Sequence, residues 1–251
     1  MTKLLITSGC SFSTMVIDNH TWPSHMEKHL RSWNYNHFGM GSQGNGLISR
    51  SIVYGVSQAL KKYQPEDVLV GIMWSSPGRH DYFVENTGYL SFSKDKKNYD
   101  GWLENPTGFI PREKKNWVIL NAGWKTPEAK LYYENFFDPI GCIIYTLEHI
   151  LRCQWLLKQS KVNYFFTCYT DYVLHKNIFT DVKIKEHDQI KYLFDMIDFN
   201  NFLPVNSITS WLIENKIEPL LDENDKHPTR EQHKAFVDQV IMPHLITKNL
   251  I

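Results

Sequence analysis

Two rhythms of apolar and polar positions run along this chain. Residues 3–8 and 68–74 are short apolar runs bounded by turn residues, as buried strands are, and 162–170 (VNYFFTCYT) reads the same way. Tyr35 to Phe38 is a shorter second strand. Between them the spacing turns helical. Thr21-Trp22-Pro23 looks like a helix start, with Thr21 as cap and proline in the first turn of a helix running to about Ser32. Leu47 to Tyr63 repeats apolar residues at Ile48, Ile52, Val56 and Leu60 until Pro65-Glu66-Asp67 breaks it. Asp138-Pro139 opens another helix, whose face carries Ile140, Ile143, Ile144, Leu147, Ile150 and Leu151. Weaker helical patterns cover 186–197 and 208–216, with a strand or loop between them, and a last helix spans Thr229 to Ile246 behind a capping box, Thr229-x-x-Gln232. From about Arg79 to Glu134 the pattern dissolves into aromatics and turn residues, which predicts short hairpins or an irregular insertion.

Strands alternating with helices predict an α/β fold with a mostly parallel sheet. In such folds ligands bind beyond the carboxyl ends of the strands. Ser11, the 39–46 loop and Trp74-Ser75-Ser76 each follow a strand, so all three are expected along one sheet edge.

Composition narrows the functional classes. The chain has 251 residues, 42% of them hydrophobic, enough for one core, and we expect a single domain over 1–251 with an insertion at about 80–135. Basic and acidic residues balance at 27 each, so the basic excess of a nucleic-acid partner is missing. No run approaches the roughly 20 apolar residues of a membrane span. The apolar part of the N-terminus, Leu4 to Ile6, falls short of the roughly 7–15 residues of a signal-peptide core, which makes a cytoplasmic location the expectation. Cys10, Cys142, Cys153 and Cys168 form no CxxC pair and fit no zinc pattern, so they are expected to be free and mainly buried. His25 and His29 have metal-capable spacing but no third ligand, and read as a solvated helix face.

Two short stretches carry candidate chemistry. Gly39-Met40-Gly41-Ser42-Gln43-Gly44 matches GxGxxG, but it follows the second strand, and the nearest acids, Glu66 and Asp67, precede the next strand instead of ending it. A glycine loop at a helix start also suits an oxyanion, because its backbone N–H groups stand unpaired and approachable. The bland reading is a strand-to-helix turn without a ligand. Near the C-terminus, DENDKHPT places Asp225 two residues before His227, and Pro228 favours an extended backbone at His227. A carboxylate there can accept the imidazole Nδ1–H and leave Nε2 to take a proton from a serine.

A serine after strand one, a glycine loop after strand two and Asp-x-His-Pro near the end, in that order, resemble the SGNH (GDSL-like) hydrolase superfamily. Its Gly-Asp-Ser block is matched by Gly9-Cys10-Ser11, its oxyanion glycine by Gly44, and its last block by Asp225 and His227. The form GCSFS…GNxxI…WSSPxR…DxHPT is similar to a divergent branch found in phage and marine microbial sequences. The resemblance implies a three-layer α/β/α sandwich with a flavodoxin-like sheet of about five strands, and no cofactor or metal. It also implies a serine ester hydrolase acting on a small-molecule or carbohydrate ester, O-acetyl groups included. Ser11, Asp225 and His227 would be catalytic, and Gly44, Asn45, Ser75 and Arg79 would bind the oxyanion or substrate. The pattern departs at three points: Cys10 replaces an aspartate, Asn224 stands at the usual acid position with Asp222 as a fallback, and the third-block asparagine is missing after Trp74. An acyltransferase and a catalytically silent binding protein on the same scaffold remain alternatives, and the oligomeric state stays open.

Overall fold

The computed structural model describes residues 2–14, 21–83, 117–123, 126–171, 174, 184, 186–217 and 227–251. The strands among them are β1 (Leu4–Ser8), β2 (Asn34–His37), β3 (Val68–Trp74), β4 (His80–Phe83), β5 (Trp117–Leu120) and β6 (Asn163–Cys168). Four of these form a wholly parallel sheet in the order β2-β1-β3-β6, while β4 and β5 pair separately as an antiparallel ladder. The chain leaves β1 towards β2 on one side and returns to β3 on the other. This reversal between β1 and β3 opens a crevice at their carboxyl ends.

The fifth strand expected of the sheet is reduced to one parallel bridge between Phe166 and Phe202. Leu203 donates its N–H to Phe166 O at 2.9 Å, and Pro204 comes next. A proline has no N–H to give, so the ladder stops there.

Side-chain alternation explains the layering. Leu4, Ile6, Val68, Val70, Ile72 and Phe166 point to one face, Leu5, Leu69, Met73 and Phe165 to the other. The first face is covered by α2 (Asn45–Ala59), through Ile48, Ile52 and Val56. It is also covered by α4 (Pro139–Gln159), through Leu147 and Ile150, and α5 (Asp188–Asp195), through Ile190. The opposite face carries α1 (Trp22–His29), α6 (Ile208–Glu214) and α7 (Arg230–Phe236), whose anchors are Trp22, Trp211 and Phe236. The result is a three-layer α/β/α sandwich. Gly71 sits on the second face, where a Cβ would lie 2.6 Å from the Phe165 ring and 3.2 Å from Trp22, so only glycine lets those two rings close over β3.

Several elements differ from expectation. The stretch expected to hold short hairpins or an irregular insertion contains a helix, α3 (Pro127–Asn135), capped by Thr126, whose Oγ1 accepts the Ala129 N–H. With β5 it builds a small satellite core of Val118, Leu120, Ala129 and Tyr132. Thr21 stands at the N-cap of α1 without a side-chain capping bond, and α1 ends at His29. The last helix has its capping box between Thr229 and Gln232, but a π turn at Val237–Ile241 separates α7 from α8 (Met242–Thr247). All four cysteines are free and buried. No helix among the described residues is long and apolar enough to cross a membrane.

Candidate active site

The turn after β1 holds two serines with different partners. Ser13 is buried, and its Oγ accepts the Trp22 indole N–H at 2.8 Å. That bond anchors the short 3-10 turn, Ser11–Ser13, to α1. Ser11 opens the turn, and its half-buried Oγ lies 2.7 Å from His227 Nε2. With the imidazole proton on Nδ1, the Ser11 hydroxyl donates to Nε2, which is the geometry for proton transfer to a general base. His227 reaches this point because Pro228 and the Thr229 cap fix the entry to α7. Its ring packs on Phe12 with centroids 4.8 Å apart. Asp225, Asp222 and Asn224 lie outside the described residues.

The loop after β2 runs beside this turn, with Met40 donating its N–H to Gly9 O at 3.1 Å. Gln43 N–H closes the next turn onto Met40 O, and Ser42 takes φ 59°, a left-handed position that usually falls to glycine or asparagine. The Gln43 side chain is fully buried, yet among the described residues neither its oxygen nor its nitrogen has a hydrogen-bond partner.

Gly44 and Asn45, expected as oxyanion donors, are engaged elsewhere. Gly44 gives its N–H to Asp81 Oδ1 at 3.1 Å, and Leu47 gives its N–H to Asp81 Oδ2 at 2.9 Å. The α2 N-terminus is therefore closed by the protein's own carboxylate, which leaves neither of these two amides for a nucleotide phosphate. Glycine is needed at 44 because a Cβ there would stand 2.6 Å from Asp81 Oδ2 and 2.9 Å from Arg79 O. The Asn45 Nδ2 hydrogens go to Ser75 O (2.9 Å) and Thr146 Oγ1 (3.1 Å), while Asn45 Oδ1 accepts the Ser75 N–H (2.7 Å). Asn45 thus ties the start of α2 to the loop after β3 and to α4. Among the described residues, the Ser11 N–H forms no hydrogen bond.

Ser75 is fully buried, and its Oγ accepts from Arg79 Nη1 at 2.9 Å. The Arg79 guanidinium also lies over the Tyr169 ring, 5.5 Å from its centroid, and Tyr169 meets Phe12 edge-on at 5.1 Å. Arg79, Tyr169, Phe12 and His227 are therefore consecutive contacts along the sheet edge. Sequence patterning offered no sign of Asp81 or Tyr169, because each acts through residues distant along the chain.

Burial shapes the ionisation around the site. It pushes the Asp81 carboxyl up to about 6, even though the Leu47 and Gly44 amides, Arg79 and Arg50 pull the other way. Burial, with His25 and His227 nearby, pushes His233 down to about 3. His25 and His29 do not share a solvated face: His25 is buried, and His29 Nε2 lies 2.6 Å from Asp238 Oδ1. Among the described residues no three His, Cys, Asp or Glu side chains are placed to hold a metal.

No family model matches the chain. No curated protein matches it either. Among the solved structures similar to it are two from Bacteroides species. A candidate acylhydrolase from Bacteroides fragilis aligns over 99% of this chain and 88% of its own, at 12% identity and a TM-score of 0.42. A GDSL-like lipase from Bacteroides thetaiotaomicron aligns over 99% and 87%, at 13% identity and a TM-score of 0.39. Likenesses this distant assign neither family nor activity.

Proposed function

We propose that the chain is a serine ester hydrolase of SGNH type, acting through an acyl-enzyme. The observation that carries this reading is the 2.7 Å approach of Ser11 Oγ to His227 Nε2 at the carboxyl end of the central strand. In the proposed reaction Ser11 Oγ bonds to the ester carbonyl carbon while its proton passes to His227 Nε2. The carbonyl π electrons move to oxygen, and the free Ser11 N–H is the nearest candidate donor to it. Collapse expels the alcohol, which takes the proton from His227. Water, deprotonated by the same imidazole, then releases the acid and restores Ser11. Asp225 remains the candidate for orienting His227. Small or carbohydrate esters, O-acetyl groups included, are the substrates this reading favours.

Fluorophosphonate labelling with peptide mapping tests it. One adduct on Ser11, lost in His227→Ala, is expected, and ester turnover in Ser11→Ala should fall by about 10³-fold or more. Equal turnover in wild type and Ser11→Ala sinks the proposal. The engagement of Gly44 and Asn45 favours a second reading, a silent binding protein, because losing one oxyanion donor costs about 10²–10³ in rate. Absence of labelling in folded protein selects that reading. An acyltransferase differs only in the acceptor, so products formed with and without added sugar separate it from a hydrolase.

A further inference from the structure

A cavity of about 310 Å³ opens between the start of α2, the 77–81 segment leading into β4, and α4, within the size range of small-ligand sites. Its chemistry is set by Arg50, Arg79, Arg152, His80 and His149, against two carboxylates, Asp81 and Glu148. Three arginines face these two acids. Both Asp81 oxygens accept α2 amides, and the carboxylate also attracts Arg79 and Arg50. Glu148 and Arg152 lie four apart on α4, yet among the described residues Arg152 forms no ion pair. Its one recorded bond is a long one, Nη1 to Ser49 Oγ at 3.4 Å. That hydroxyl also lies 3.2 Å from His149 Nδ1, which leaves His149 Nε2 on the cavity side, near Gly46. The positive field converges on this ring: after burial, Arg152, Arg50 and His80 are the groups that hold His149 down at about 4. The Ser49 hydroxyl proton can go to Gly46 O, 3.0 Å away, or to His149 Nδ1; when it turns to Nδ1, the neutral imidazole carries its proton on Nε2 and can donate one hydrogen bond to an anion without adding charge.

A chain of contacts links the cavity to the candidate active site, although neither Ser11 nor His227 lines it. Arg79 and Asn45 line it, and both bind Ser75 after β3. From Arg79 the contacts run through Tyr169 and Phe12 to His227. We propose that this cavity is an oxyanion-binding subsite, in which Arg152, Arg50 and His149 hold a phosphate, sulfate or carboxylate group carried by the ester substrate. Its assignment to a substrate rests on the esterase reading; the presence of an anion site does not. Tyr145, 55% exposed at the cavity edge, offers a ring surface to whatever bears the anion.

Inorganic phosphate is the first probe, titrated by calorimetry at low ionic strength into wild type, Ser11→Ala and Arg152→Gln. Binding that survives in Ser11→Ala and weakens 10-fold or more in Arg152→Gln is expected. No binding to folded wild type, or binding as tight as wild type in both Arg152→Gln and the Arg50→Gln/Arg152→Gln double variant, overturns the site, whatever the esterase result. The second arm compares 4-acetoxybenzoate with its neutral methyl ester. A preference of about 10-fold in kcat/KM for the anionic ester, lost in Arg152→Gln while the neutral ester is unaffected, places the anion on the substrate. Arg152-dependent phosphate binding with no such preference overturns the substrate assignment and leaves a site for a free anion. If neither ester is turned over and Ser11 takes no fluorophosphonate, the esterase reading fails, while Arg152-dependent phosphate binding still upholds the anion site.

Discussion

At Asp81 a single carboxylate closes the first turn of α2 and holds the β4 hairpin against it. Asp81→Ala should lower stability by about 1–3 kcal/mol in denaturant melts, the cost of leaving two half-buried amides without an acceptor. An unchanged melt would mean that water replaces the carboxylate. Gln43 behaves in the opposite way. Its buried amide has no partner, so Gln43→Met should leave stability unchanged or raise it by about 1–3 kcal/mol; a clear loss would reveal a buried water or a partner bound to it. The two residues also mark how far sequence reasoning reaches. Ser11, His227 and Arg79 stand next to strand ends or a proline, where local signals locate them. Asp81 acts on amides 34 and 37 positions away, and nothing local announces such a bond. A glycine at a helix start suits an oxyanion donor and a close backbone approach equally well, and at Gly44 the close approach of the 79–81 segment requires it.

Among the elements, β3 stands where its apolar run predicted, at Val68–Trp74, because it is central and buried on both faces. The long helices α2 and α4 were also visible, since each presents a wide apolar stripe to the sheet. By contrast α3 was not, because only Ala129 and Tyr132 of its residues are buried, against a small cluster. The fifth strand shrank to a bridge because Pro204 follows Leu203, a detail that hydrophobic pattern does not weigh. Packing through β3 makes a sharp prediction at this scale. Gly71→Ala should cost about 1–3 kcal/mol, since Phe165 and Trp22 are both fully buried and have no room to yield. A melt within about 0.5 kcal/mol of wild type would show that the rings can shift.

The whole molecule carries a pH dependence whose sign follows from its buried groups. His233 and His149 refuse protons until about pH 3 and 4, whereas the unfolded chain accepts them near 6.5. Stability present above pH 6.5 is therefore lost as pH falls. Asp81 opposes this: folded, it takes a proton near pH 6, and unfolded only near 3.8. These two imidazoles against one carboxyl leave a net loss on the order of 1 kcal/mol per pH unit between roughly 6 and 4, and the lowered His80 and His244 act in the same direction. Thermal melts from pH 7 to 5 should show a falling midpoint, and His233→Gln should flatten the slope; a midpoint that rises on acidification contradicts both. At this scale the layered α/β fold was the most legible property of the sequence, because alternation of strands and helices is a global pattern. The acid that would support His227 was visible only as a set of alternatives, since Asp222, Asn224 and Asp225 crowd one short stretch.

The four buried cysteines, unremarkable as packing, make the protein its own reporter of opening. Burial raises the thiols of Cys142, Cys153 and Cys168; Cys142 lines the cavity, but Cys153 and Cys168 are enclosed in the core, so in the closed molecule these two are both inaccessible and short of thiolate. A thiol reagent would therefore react at a rate set by how often each layer parts from the sheet, not by the chemistry of sulfur. Cys153 and Cys168 lie in the core on the α2–α4 face and Cys10 in the core opposite, so the order of their labelling would show which layer lets go first.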